Sequence, residues 1–358
     1  MPQPDPKDAI AIDLFAGAGG LSLGLSQAGF DVVTALDNDP IAVRSYREAL
    51  GNHIMCAPIE EISATELMRR AGVTPGECDL LAGGPPCQGF SLQRRGQRAD
   101  PRNGLVLDFI RMVEEIRPRF FLMENVSGLL TKHGRPFLDE FHRRVARLGY
   151  VIHIDLLDAS NFGVPQRRHR TLLVGERTTG GEPRFQFPEG TGSPVRTVRD
   201  AIGDLPRPPS DGSEHPSVHN HYREARLSQL NIERIKHVPQ GGGRAHLPQH
   251  LQLACHRNNA SHRHMDVYGR LAWDEPSVTL TARFDSFTRG RFAHPEEHRS
   301  ITIREGARIQ TFPDTFRFFG NREEQARQVG NAVPPLLAEA LGTAILRTMK
   351  RRDRSMAA

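Results

Sequence analysis

The chain has 358 residues, 38% hydrophobic and 25% charged, enough for one large domain and a smaller one. It has no run of about 18 apolar residues to cross a membrane and no positive-then-apolar export pattern in its opening MPQPDPKD. Its net charge of +5 permits a polyanionic partner without demanding one, and its four cysteines (Cys56, Cys78, Cys87, Cys255) form no CxxC pair, which argues against a disulfide framework and fits a reducing cytosol.

Taken in order, the first candidate strand is AIAIDLF (residues 9–15). It runs into DLFAGAGGLSLG, where Gly17, Gly19 and Gly20 make a tight turn opening a helix over 21–28. The second strand, DVVTALD (31–37), closes on Asp37, at a spacing that suits a ribose hydroxyl contact in a nucleoside site. The turn is not G-x-G-x-x-G, and Phe15 stands where an adenine could pack. NAD, a nucleoside cofactor without a pyrophosphate and a plain structural turn all fit these residues. Helical patterns follow over 40–50 and 64–71.

The next apolar run, CDLLA (78–82), reads as a buried strand, and GGPPCQGFS (83–91) follows it. A cysteine just past a strand's C-terminal end lies where an open α/β sheet presents its chemistry. Two prolines stiffen the backbone entering Cys87, and flanking glycines admit a ligand. A nucleophile and a small core-filling thiol are equally good readings of those nine residues. The loop after it clusters Arg94, Arg95, Arg98 and Arg102, which suits a phosphate backbone.

A helix is expected over 104–116, then a strand RFFLMENV (119–126) that brings Glu124 to the same sheet edge as Cys87. A cysteine beside a carboxylate, with no histidine close in sequence, suits attack on an electron-poor ring whose nitrogen the acid can bond. A helix over 136–148, a strand YVIHIDLL (150–157) and a strand RTLLVG (170–175) complete the alternation. Before that last strand comes FGVPQRRHR (162–170), where Gln166, Arg168 and Arg170 share a face if extended. Strand–helix alternation of this kind predicts an α/β fold with a doubly wound, mostly parallel sheet.

After about residue 176 the character changes. Eleven of the sixteen histidines lie between His215 and His298, with many arginines and with Gly241, Gly242 and Gly243 in a row before Arg244. Periodicity is weak to about residue 268, and residues 206–217 read as a loop. Order returns with the period-two segment RLAWDEPSVTLTARF (270–284). The chain closes on an amphipathic helix, PPLLAEALGTAILRTMK, and a tail, RRDRSMAA, expected to fray. Cys255, His256, His262 and His264 match no standard zinc spacing, so no metal is expected.

At this point the sequence resembles a DNA (cytosine-5)-methyltransferase of the bacterial restriction–modification type. The match is collinear through DLFAGAGG, PPCQGFS, ENV, QRRHR, the segment RL-x-x-x-x-PSVTLT and QVGNAVPP, and covers all but residues 178–268. The resemblance implies a Rossmann-like SAM-dependent catalytic domain (1–180 and 325–358) and a smaller, irregular target-recognition domain (181–324, variable core 181–268).

It also supplies roles. Cys87 would attack C6 of cytosine, Glu124 would engage N3 and the exocyclic amine, and Arg170 would bond O2 with Arg168 in support. S-adenosyl-L-methionine would be the methyl donor and S-adenosyl-L-homocysteine the product, with Phe15, Ala16, Gly17, Gly19, Gly20, Asp37, Asn38, Ile59, Pro85, Asn331 and Val333 on cofactor positions. Double-stranded DNA would meet Gln88, Ser91, Arg94, Arg95, Arg98, Gln166, Arg244, Arg257 and Arg263, with the target base flipped out of the stack and the loop 91–103 closing over it. A monomer is implied, cytoplasmic and nucleoid-associated, with no membrane, no obligatory protein partner and a cognate restriction endonuclease as a compatible companion. Two positions depart from the family pattern. Pro58 stands where an acidic residue contacts the adenine amine, and Asn38 where a large apolar residue packs on adenine. A tRNA-modifying relative is disfavoured because the variable region lacks that branch's Cys-Phe-Thr segment. A silent DNA-binding relative is disfavoured because Cys87, Glu124 and Arg170 are all present.

Overall fold

In the computed structural model, which describes residues 9–86, 104–131, 134–178, 182–224, 227–254 and 265–356, the run AIAIDL forms β1 (Ala9–Leu14). Six more strands join it: β2 (Phe30–Asp37), β3 (Ile54–Cys56), β4 (Leu80–Gly83), β5 (Phe120–Val126), β6 (Tyr150–Asp158) and β7 (His169–Arg177). They lie in the order β3-β2-β1-β4-β5-β7-β6. The first five pair in parallel, while β7 runs antiparallel to both β5 and β6. The doubly wound, mostly parallel sheet expected from the alternation is therefore present.

The helices follow local signals. Asp39 caps α2 (Pro40–Leu50), accepting from the amide of Ile41 at 2.9 Å, with proline at the first helical position. Ser63 caps α3 (Ala64–Ala71), which ends on a left-handed Gly72. With α1 (Gly20–Ala28), α4 (Gly104–Ile116) and α5 (Arg135–Ala146), these cover both sheet faces. Ile12 and Leu14 of β1 point into a core with Leu67 and Met68 of α3, Phe109 and Ile110 of α4 and Phe141 of α5. Phe121 sits at its centre, edge-on to Phe109 and Phe141. Asp13, one residue out of phase, faces the other layer and meets Ser22 of α1.

The chain divides into two compact units. The first is Met1–Phe162, His169–Gly192 and Val333–Ala358; the second is Gly163–Arg168 with Ser193–Ala332. In the first, the C-terminal helix packs along α1. A Cβ on Gly24 would stand 2.2 Å from the Pro335 carbonyl oxygen, and one on Gly342 2.8 Å from Ala28, so only glycine allows that approach. Within Arg322–Arg351 one 18-residue window is apolar enough to cross a membrane by composition, with a mean hydropathy of 1.3. Of that window 56% is buried, and Leu337, Leu341 and Ile345 of the C-terminal helix are fully so, as core-helix residues are.

The second unit has little regular structure among its described residues. It holds the short strands β8 (Gly269–Arg270) and β9 (Arg291–Ala293) and the helices α6 (Val198–Ile202), α7 (Gln229–Lys236), α8 (Ile303–Ile309) and α9 (Arg322–Asn331). Buried arginines hold its loops by their backbone carbonyls. Arg270 donates to the carbonyls of Ile235, Val238, His294 and Glu297, and Arg304 to those of His219, Pro313 and Phe316. A guanidinium's five donors in a fixed fork supply here what a strand ladder supplies elsewhere.

Three elements differ from expectation. β3 has only three residues, too few for a periodic signal. The period-two segment 270–284 is not a ladder strand. From Ser277 it bonds the chain around Gln166: the Ser277 amide donates to the Pro165 carbonyl and the Leu280 amide to the Gln166 side chain. The C-terminal helix α10 (Pro335–Met356) extends into the tail expected to fray, as far as Met356.

Candidate active site

The glycine turn, Asp37, Glu124 and Arg170, all in the first unit, gather at one sheet edge. β1, β2, β4 and β5 present their C-terminal ends there, and β7, being antiparallel, presents its N-terminal end.

The turn after β1 is held in an unusual conformation. Phe15, half-buried, has a φ of 59°, left-handed for a non-glycine residue, followed by Gly17 at 56° and Gly19 at 101°. Ala16 is buried, and Gly20 opens α1. The Ala16 amide donates to the Leu36 carbonyl and the Gly17 amide to Asp37 Oδ2 at 2.8 Å. Asp37 Oδ1 accepts from the Asp39 amide at 2.8 Å, and burial raises the acid's pKa against those two hydrogen bonds. Each carboxylate oxygen keeps a further lone pair, which suits a pair of vicinal hydroxyl donors. The turn carries no basic side chain from Phe15 to Leu21, so it suits a nucleoside group better than a polyphosphate.

Ile59 is buried in a 3-10 turn (Ile59–Glu61), whose carbonyl Arg111 of α4 grips at 2.9 Å. Pro58 caps that turn without a side-chain bond, and Asn38, Glu60 and Glu61 are exposed.

The second cluster is Glu124 with Arg170. In the β5–β7 register Glu124 lies opposite Leu172 and Val126 opposite Arg170, so Glu124 and Arg170 are diagonal neighbours on one face. Arg170 Nε stands 2.6 Å from Glu124 Oε1, with both side chains mostly buried. A Cβ on Gly84 would lie 3.6 Å from Glu124 Oε2, so the loop toward Cys87 passes beside this carboxylate. The buried Asn125 donates to the Pro85 carbonyl at 3.2 Å and so ties β5 to that loop two residues before Cys87. Nothing in the sequence alone singles out Asn125, whose only signal is its place inside ENV. Cys87 itself lies outside the described residues, as do Gln88, Ser91, Arg94, Arg95, Arg98, Arg257 and Arg263, the loop 91–103, and Cys255, His256, His262 and His264.

Arg168 and Gln166 belong to the second unit. Arg168 is buried and donates to the carbonyls of Leu280, Gly330 and Ala332. Gln166, expected to face DNA, is fully buried: its amide donates to Gln310 and its oxygen accepts from the Leu280 amide. Arg244, expected likewise, is buried with a nitrogen 3.2 Å from Met265 Sδ. Asn331, exposed, ends α9 in the second unit, and the buried Val333 belongs to the first.

The model of the C-5 cytosine-specific DNA methylase family matches residues 10–347. The Type II methyltransferase M1.HphI of Haemophilus parahaemolyticus is 37% identical over 340 residues, covering 94% of this chain and 86% of that protein. Type II methyltransferase M.XorII of Xanthomonas oryzae pv. oryzae is 37% identical over 367 residues, covering 96% and 86%. Among solved structures, a putative DNA modification methyltransferase encoded within an E. coli prophage has a TM-score of 0.73 at 25% identity, covering 95% of this chain and 99% of that one. S. pombe Dnmt2, at 18% identity and a TM-score of 0.65 over 96% and 99% of the two chains, shares the fold. With the family model spanning nearly the whole sequence and a glycine turn and an acid–arginine pair set on one edge of a doubly wound sheet, the chain belongs to the C-5 cytosine-specific DNA methylase family.

Proposed function

We propose that this protein transfers a methyl group from S-adenosyl-L-methionine to C5 of a cytosine in double-stranded DNA, as the modification half of a restriction–modification system. The observation that carries the reading is the Glu124–Arg170 pair beside Gly84, with Asn125 fastening the loop two residues before Cys87. The cofactor supplies an electrophilic methyl group. Asp37 and the turn Phe15–Gly20 bind its nucleoside, Ile59 and Val333 give apolar walls, and Pro85 and Asn331 complete the set.

Cytosine inside a duplex is out of reach, so the base is flipped into the site at the expense of some stacking. Cys87 thiolate forms a bond to C6 while Glu124 bonds N3 and the exocyclic amine, stabilising the ring as electron density moves toward C5. Arg170 bonds O2, and Arg168 supports the segment that carries it. C5 then takes the methyl group with S-adenosyl-L-homocysteine as the leaving group, the C5 proton leaves to a base, and the S–C6 bond breaks to return the thiolate. Gln88, Ser91, Arg94, Arg95 and Arg98, with Arg257 and Arg263 in the variable region, meet phosphates and base edges. Gln166 and Arg244 act from within, by shaping the backbone of the second unit, the target-recognition domain. The enzyme works in the cytoplasm as a monomer.

Bisulfite sequencing of DNA from bacteria expressing the chain tests activity and target together. We expect one short sequence context to be protected from conversion, and no protection with Cys87→Ser. Full protection by the Cys87→Ser variant would sink the covalent mechanism. Unmodified DNA with folded protein present, or methylation of tRNA alone, would overturn the reading.

A further inference from the structure

A buried chain of side-chain hydrogen bonds lies under the glycine turn and has no part in the reaction described above. Ser22 Oγ donates to Asp13 Oδ2 at 2.6 Å, and Tyr46 Oη donates to Ser22 Oγ at 3.0 Å. Tyr46 Oη also lies 2.8 Å from His53 Nε2. A tyrosine hydroxyl has one hydrogen, so while it donates to Ser22 it accepts from His53, and every donor then points inward to the carboxylate. Asp13, Ser22 and Tyr46 are all buried, and Asp13 Oδ1 accepts nothing among the described residues.

The placement of these groups matters more than their burial. Asp13 lies two residues before Phe15 and Ser22 two after Gly20, so their hydrogen bond closes both ends of the turn. Tyr46 supports its middle: a Cβ on Gly19 would stand 2.9 Å from the Tyr46 ring and 2.5 Å from Leu50. Phe15 holds a left-handed φ that costs a non-glycine residue on the order of 1–3 kcal/mol and persists only where the surroundings over-determine it. As packing, a buried carboxyl linked to two hydroxyls is inferior to apolar residues of the same volume. What it supplies is one fixed geometry.

We propose that Tyr46, acting through Ser22 and Asp13, is a positioning residue that sets the turn Phe15–Gly20 for the cofactor, so that its hydroxyl governs cofactor affinity. The proposal rests on the reading of that turn as the S-adenosyl-L-methionine site. It concerns residues buried beneath the turn.

Binding of S-adenosyl-L-homocysteine to the purified full chain, measured by calorimetry without DNA, tests it. Tyr46→Phe keeps the ring under Gly19 and removes only the hydroxyl. Tyr150→Phe is the matched control, since its buried hydroxyl donates to the Pro118 carbonyl at 2.6 Å, off the turn. We expect Tyr46→Phe to weaken binding about tenfold, Ser22→Ala to do the same, and the double variant to lose little more, as for members of one network. Tyr150→Phe should lower the melting temperature comparably and leave binding unchanged. Methylation at saturating cofactor should keep its kcat in Tyr46→Phe while the cofactor KM rises. Parental affinity in both Tyr46→Phe and Ser22→Ala, or equal weakening in Tyr150→Phe, would overturn the proposal. A parent chain that binds no S-adenosyl-L-homocysteine would instead remove the cofactor reading beneath it.

Discussion

Asp13 and Glu124 are two carboxylates on strands separated by β4 in the sheet order, in unlike surroundings. Burial, first of all, pushes Asp13 up to about 7, with the Ser22 hydrogen bond opposing and the charge of Asp37 adding to the rise. Its proton is held more tightly in the folded chain than in the unfolded one. The associated stability is therefore complete below the ordinary value of 3.8, erodes as pH climbs, and is gone above about 7. That shift amounts to about 4 kcal/mol. Asp13→Asn, which can still accept from Ser22, should be more stable than the parent at pH 8 and lose that advantage toward pH 4. Urea unfolding at the two pH values reads the difference, and parallel pH slopes would show that Asp13 does not titrate in this range. For Glu124 the effect should fall on the reaction: Glu124→Gln should lower kcat by about 10²–10⁴-fold with little change in S-adenosyl-L-homocysteine binding. Glu124 was legible because it ends an apolar run, at the edge to which the strand pattern also assigns Cys87. Asn125 and Tyr46 were not, because their partners lie 40 and 24 residues away, and no local pattern records such pairings.

At the scale of elements, legibility tracked the strength of local chemistry. The helix over 40–50 was readable to the residue because proline, an aspartate cap and a following glycine all mark its ends. The strand Ile54–Cys56 was invisible, since three residues define no period and register with β2 alone makes them a strand. The alternation in 270–284 has the opposite origin: it reflects an extended path in which only the first residues pair with β9, while 277–280 bond residues 165–167 rather than a neighbouring strand. The glycine turn is the element most sensitive to change. Gly19→Ala would place a methyl against Leu50 and Tyr46 on a backbone with a φ of 101°, at a cost of about 2–4 kcal/mol. Thermal unfolding with and without S-adenosyl-L-homocysteine should show both a lower melting temperature and a smaller ligand-induced rise. An unchanged rise would mean that the turn does not carry the cofactor.

Across the whole molecule the two units follow different rules. The first is a regular sheet with apolar layers on both faces, and its fold class was readable from alternation alone. In the second, composition suggested a basic surface, yet several of its arginines are spent inside. Arg299 forms a two-pronged pair with Glu305 at 2.8 Å on each arm; burial pushes Glu305 up, but that guanidinium and its hydrogen bonds override it and hold the acid at about 2. Arg270 and Arg304 are buried on carbonyls, and a charge count cannot separate such residues from those that face a phosphate. Replacing Arg270 with Lys keeps the charge but loses the fork, and should cost about 3–5 kcal/mol. Hydrogen exchange should then quicken in the second unit around residues 235–242 and 294–298 while the sheet of the first keeps its protection. Uniform exchange throughout would contradict this assignment.

Those guanidinium hubs grip main-chain oxygens, and every amino acid offers the same oxygen. A loop fastened in that way does not depend on the identity of its own side chains. The outward residues of 235–238 or 294–297 can therefore be exchanged while the frame beneath them stays put. The second unit can in this way change its outward face by drift without first having to refold.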